Sequence, residues 1–294
     1  MTVPLRRRPT DAHEGPVYVP HQDRLYFCTR PDVAAAHPVV AIRYWDLATD
    51  ALHTWVPDAR MANGMALSCD AGCLLVCEQG DRRRPAAIAR YRLRDARRSA
   101  VVEAFGGHPL NSPNKVAELP SGTLLFTDPD YGPRQGFRQD SPLTPALYAH
   151  YATGETARFE LGLEQPHGLA VAPGANRVYV SDTSADDGVG GFDRRRRRDV
   201  YAYALRDDHA AIAVADRRHL ARVPHGIPDG MAVDAAGRVI VACGDGVRAY
   251  AADGALAWRL PLAGGAVNLC LDEPGGRLFV TTDAAVEAYA LPSA

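Results

Sequence analysis

The chain has 294 residues, 47% of them hydrophobic, and a formal net charge of −2. That apolar share supports a packed core and excludes general disorder, and the near-neutral charge gives no electrostatic reason to expect nucleic acid or an acidic membrane as partner. No apolar stretch reaches the roughly 18 residues that cross a bilayer, and the basic residues of Met1–Thr10 are not followed by an apolar segment of the secretory kind, so a cytoplasmic location is expected.

One short pattern recurs along the chain, each time with a polar residue near its head. Its copies are Glu14-Gly-Pro-Val-Tyr-Val-Pro, Asn63-Gly-Met-Ala-Leu, Asn114-Lys-Val-Ala-Glu-Leu, His167-Gly-Leu-Ala-Val, Asp229-Gly-Met-Ala-Val and Val267-Asn-Leu-Cys-Leu. A second apolar run follows each copy: Arg24-Leu-Tyr-Phe-Cys, Cys73-Leu-Leu-Val-Cys, Thr123-Leu-Leu-Phe-Thr, Arg177-Val-Tyr-Val-Ser, Arg238-Val-Ile-Val-Ala and Arg277-Leu-Phe-Val-Thr. In the first copy, apolar residues gather at Val17–Val19, Leu25–Cys28, Ala41–Leu47 and Leu52–Val56, with turn-forming residues between them. Four short strands per repeat predict one blade of an antiparallel propeller. Six repeats predict a single all-β domain over residues 1–294, a six-bladed β-propeller of four-stranded antiparallel blades. The last repeat supplies only about three strands before the chain stops, and a strand near Val3 to Arg7 is expected to complete it.

Two segments interrupt the repeat. One runs from Pro129 to Pro142 and is rich in Pro and Gly; the other runs from Thr183 to Asp199 and contains the five arginines Arg194–Arg198. These loops are where substrate specificity is expected, and the arginine run is expected to be solvated. The six cysteines form no Cys-x-x-Cys pair and read as reduced thiols.

Closing the repeats into a ring brings Glu14, Asn63, Asn114, His167 and Asp229 to its centre. Two acids held together call for a cation or a shared proton. An all-oxygen set favours calcium or magnesium, whereas an imidazole turns the balance toward zinc, manganese or iron. The alternative is that these groups only hydrogen-bond the backbone at the channel mouth. His13, His108 and His225 lie beside the heads, and strand alternation is expected to point them away.

The ordered segments Glu14-Gly-Pro, Ala62-Asn-Gly-Met, Cys77-Glu-Gln-Gly-Asp-Arg-Arg, Asn111-Ser-Pro-Asn-Lys, Leu125-Phe-Thr-Asp-Pro-Asp-Tyr-Gly, Pro166-His-Gly-Leu, Val180-Ser-Asp-Thr and Pro228-Asp-Gly-Met resemble the SMP-30/gluconolactonase family. The run from Asp128 through Gln135-Gly-Phe-Arg is most similar to its lactonohydrolase branch, which opens aldonate and pantoyl-type lactones. The resemblance implies a small-molecule lactone substrate and one divalent metal ion, calcium in most of the family. It implies Glu14, Asn114, Asp229 and His167 as metal ligands, with His167 standing where the family has asparagine. It implies Asp229 as the group that activates water; beside it, the chemistry offers His167, where free of metal, as an alternative base and Lys115 as a group that holds the oxyanion. Asn63, Asn114, Asp128 and Tyr131 are the implied substrate-binding residues. Lys115, the chain's one lysine, replaces the family's aspartate. Both departures subtract oxygen or negative charge near the cation. Two other readings therefore stand beside lactone hydrolysis: a reassigned enzyme catalysing a non-hydrolytic isomerisation, cyclisation or elimination, and a non-catalytic binding propeller. The sequence does not specify an oligomeric state.

Overall fold

The computed structural model describes residues 3–32, 37–208 and 211–292. They form six four-stranded antiparallel sheets arranged as a six-bladed β-propeller. Blade 1 is built from Ala12–Val19, Arg24–Thr29, Ile42–Asp46 and Ala51–Val56. The inner strands of blades 2 to 6 are Ala62–Leu67, Val116–Glu118, Pro166–Val171, Met231–Val233 and Asn268–Asp272.

The second strand of each blade explains the continuous apolar runs. A blade is sandwiched between two neighbours, so both faces of its second strand are buried. In blade 1, Tyr26 and Cys28 pack toward blade 2 beside Met65, Leu74 and Val76, while Leu25 and Phe27 pack toward blade 6 beside Phe279 and Val286. The same division repeats around the ring, and each apolar cluster bridges two consecutive blades. No blade buries its own faces, so each depends on its neighbours for that burial.

The ring closes with a strand from the N-terminal side of the chain. Arg6–Pro9 pairs antiparallel with Ala285–Ala290 as the outer strand of blade 6. The expected strand lay slightly earlier, at Val3 to Arg7. The offset is understandable, because Arg6–Pro9 alternates only between half-buried and exposed and carries no apolar signal to fix its register. Arg6 then reaches back to blade 1, donating to the Leu47 carbonyl and pairing with Asp50.

Side chains also stitch neighbouring blades near the axis. Cys28 Sγ donates to the Asn63 carbonyl, Thr127 Oγ1 to the His167 carbonyl and Thr281 Oγ1 to the His13 carbonyl. The cysteines are free thiols. The arginine run is spent on the surface: Arg195 pairs with Asp193, Arg196 with Glu164 and Arg197 with Asp182, and Arg198 donates to the Pro224 carbonyl. Among the described residues no helix is long and apolar enough to cross a membrane.

Candidate active site at the propeller axis

The inner strands do not keep simple alternation where they approach the axis. Their pairing register shifts around Glu14 in blade 1, between Ala62 and Met65 in blade 2, and between Pro166 and Leu169 in blade 4. These bulges re-aim the strand ends. Glu14, Asn63, Asn114, His167 and Asp229 thereby line one cavity of about 280 Å³ at the axis. His13 lines it too. Alternation predicted that His13 would face away; the bulge between Ala12 and Glu14 removes that alternation.

The residue after each head occupies a second, deeper tier. It is glycine in blades 1, 2, 4 and 5. A Cβ on Gly64 would lie 2.2 Å from the Asn114 carbonyl, and one on Gly168 would lie 2.4 Å from the Asp229 carbonyl. The neighbouring blade's backbone therefore excludes a side chain there. Blades 3 and 6 break the rule with Lys115 and Asn268. Both reach Glu14 Oε2: Lys115 Nζ from 2.5 Å and Asn268 Nδ2 from 2.6 Å. Lys115 and Asn268 line a separate cavity on the opposite side of the channel, shared with Gly15 and Met231. Together they form the floor beneath the acid ring.

Glu14, His167 and Asp229 each offer a ligand atom, all within 4.8 Å of one another. His167 Nδ1 lies 3.6 Å from Asp229 Oδ1, and Lys115 Nζ lies 3.9 Å from the same oxygen. Four buried atoms here have no hydrogen-bond partner: Asn63 Oδ1, Asn114 Oδ1, His167 Nδ1 and Asp229 Oδ1. Leaving so many buried acceptors unmet is costly unless a ligand meets them. Their donor types fit a divalent cation, with the Lys115 ammonium as a like charge close by.

The electrostatics divide the ring. Burial alone would raise the Glu14 carboxyl, but the Lys115 ammonium and the nearby imidazoles reverse this and hold it below the ordinary range. Asp229 moves the other way, raised by burial and then by Glu14. His167 is lowered to about 3 by burial and by Lys115, so its ring is neutral near neutrality. In His13, burial lowers the imidazole, but Asp283, whose Oδ1 lies 2.6 Å from Nδ1, together with Glu14 and Asp229 outweighs it and the imidazole is raised.

The two interrupting loops form the outer wall. Tyr131 and Gln135 come from the first, and Asp186, Gly188 and Gly190 from the second. The Tyr131 ring stands edge-on to His167 at 5.5 Å, and its hydroxyl bonds Thr183 Oγ1 at 2.6 Å. Asp128, expected with the substrate-binding residues, is fully buried outside the cavity lining. Its two oxygens accept from the backbone N–H groups of Asn111 and Ser112 at 2.8 and 2.7 Å. It holds the loop that presents Asn114. Glu78 is likewise spent within its blade, on Arg98 and Tyr91.

Besides His13, Asn268 is a site residue that sequence reading missed. Its repeat has valine at the head, so the polar residue falls one place later, in the glycine column.

The chain matches the SMP-30/Gluconolactonase/LRE-like region model over residues 12–284. It is 25% identical to a gluconolactonase from Zymomonas mobilis, over 91% of this chain and 75% of that one. It is also 25% identical to the pentonolactonase XacC from Haloferax volcanii, over 82% of this chain and 70% of that one. Among solved structures, a gluconolactonase from Xanthomonas campestris superposes with a TM-score of 0.78 at 28% identity, covering 96% of this chain and 87% of that one. The match runs from the first inner strand into blade 6 and takes in every axial head, and the chain belongs to the SMP-30/Gluconolactonase/LRE-like family.

Proposed function

We propose that this protein hydrolyses a small polar lactone at the propeller axis. The observation that carries this reading is the set of unpartnered acceptors from Asn63, Asn114, His167 and Asp229, gathered under one cavity. A scaffold has no use for such a set. The relatives named gluconolactonase and pentonolactonase supply the substrate class.

Glu14, Asp229, His167 and Asn114 are the residues that would hold a divalent cation. When bound, such an ion polarises a carbonyl and lowers the pKa of water. Asp229 takes the proton from the attacking water. Its ionised form is the competent base, and a cation beside it favours that form against burial and Glu14. Neutral His167 fixes one side of the ring without adding charge. The amide Nδ2 groups of Asn63 and Asn114 would donate to the carbonyl oxygen as it gains charge. Gln79, Gln135, Asp186 and His13 supply the wall polarity that suits a hydroxylated ring.

Lactone opening releases acid and can be followed directly in weak buffer. The chelated protein, then the protein with calcium, manganese or zinc restored, should open aldonolactones only when the ion is present. Asp229→Asn should lower kcat by about 100-fold or more. Turnover that survives both exhaustive chelation and Asp229→Asn refutes the mechanism.

A further inference from the structure

Lys115 is the only lysine in the chain, and it sits in a column otherwise reserved for glycine or for Asn268. Its stem runs beneath Gly64, where an added Cβ would come within 2.7 Å of Lys115 Cδ. Lys115 is buried, and its ammonium enters the ring from below. There it meets Glu14 Oε2 at 2.5 Å and stands 3.9 Å from Asp229 Oδ1. The unpartnered acceptors of Asn63, Asn114, His167 and Asp229 belong to the cavity above. One acid thus already answers a cation, while the remaining donors await one.

We propose that Lys115 is a tethered cation that balances the acid ring when no metal is bound, and that it makes the axial site a weak, exchangeable one. A divalent ion on the upper side must share Glu14 with the ammonium and tolerate its charge at close range. Asn268 completes the arrangement by donating to the same carboxylate oxygen, so that Glu14 is held in place whether or not an ion is present. The inference rests on the reading that the ring takes a divalent cation. It adds that this chain has exchanged part of the ion's charge for a side chain.

The test is titration of the chelator-stripped, full-length protein with Mn²⁺ and with Ca²⁺, together with melting in chelator. Lys115→Met should bind Mn²⁺ roughly tenfold or more tightly than the parent, since a full like charge at this range is removed. In chelator it should melt below the parent, and saturating Mn²⁺ should close that gap. Unchanged or weaker Mn²⁺ affinity in Lys115→Met overturns the proposal, and so does a melting deficit that Mn²⁺ leaves in place. If Lys115→Met does not fold, Lys115→Gln, which keeps a donor for Glu14, carries the same affinity comparison. Absence of Mn²⁺ and Ca²⁺ binding in every variant also overturns it. Lactone opening is not the readout, so tight binding by Lys115→Met without any lactonase activity upholds the tethered cation and refutes the hydrolytic reading alone.

Discussion

Replacing Glu14 by glutamine removes the charge that Lys115 answers, and the structure sets the scale of the loss. Both side chains are buried, at 4% and 9% exposure, and breaking a buried ion pair from one side costs about 3–5 kcal/mol. Two features draw the cost toward the lower end. The new amide oxygen still accepts from Asn268 and Lys115. Asp229 is also freed from the repulsion of Glu14, the largest influence that raises it after burial, and 3.9 Å from Nζ it can ionise and take over as counter-charge. A cost of about 3 kcal/mol against an unfolding entropy near 2.1 cal/mol/K per residue corresponds to a fall of roughly 5 °C in melting temperature. The sign with pH follows from Asp229. In the parent its raised carboxyl favours folding in acid and loses that advantage as pH rises; in Glu14→Gln, with the Glu14 repulsion gone, that gain in acid shrinks. The gap to the parent should therefore widen in mild acid. The parent's Glu14 carboxyl is held low, so its contribution persists until stronger acid. The assay is a thermal melt in chelator across acid and neutral buffers. A Glu14→Gln protein melting within about 1 °C of the parent near neutrality would refute the reasoning, as would a gap that does not widen in mild acid.

Two further predictions concern what holds the site in place. Asp128→Asn presents an amide donor to one of two buried backbone N–H groups, losing one bond and stranding one donor; it should cost about 2–4 kcal/mol, read as a melting temperature lower by roughly 3–6 °C. Burial raises the Asp128 carboxyl to about 7 against those two N–H groups. A raised carboxyl favours folding below its unfolded pKa and loses that advantage as pH rises toward 7, so the parent should be least helped by Asp128 in alkali. Deleting residues 1–9 removes the outer strand of blade 6 and leaves Ala285–Ala290 as an open edge. That protein should melt lower and associate on warming, measured by light scattering, because an unpaired strand edge templates further pairing.

The propeller was legible because its sandwiched blades demand apolar second strands, and these stand out from Arg24–Cys28 to Arg277–Thr281. The axial heads were legible for the same reason, since repeats place equivalent residues at equivalent points. Alternation failed at His13, where one extra residue in the bulge sets two neighbours on the same rim. Asp128 was misread because a strand-end acid was expected to look into the channel, whereas the folded-back loop offers it two closer donors. Asn268 and Lys115 share one cause. Their column is visible in the sequence, but its meaning is steric and depends on the backbone of the next blade, which no single repeat contains.

That column also explains why the tethered cation appears where it does. Three of its six positions are closed to any side chain by a neighbour's carbonyl, at 2.2 to 2.5 Å from a hypothetical Cβ on Gly15, Gly64 and Gly168. The two positions that carry side chains belong to blades 3 and 6, which face each other across a ring of six. Side chains entering from opposite blades meet at the axis without competing for the same wall, and both converge on Glu14. Had lysine stood in an adjacent blade's glycine position, its Cβ would have forced two blades apart before its ammonium reached the acids. The fold therefore permits a resident positive charge at few places, and this chain has its one lysine at such a place. The charge of the ring is set by that substitution as much as by the acids themselves, and a reading of the heads alone would have counted two acids and missed the ammonium that already answers one of them.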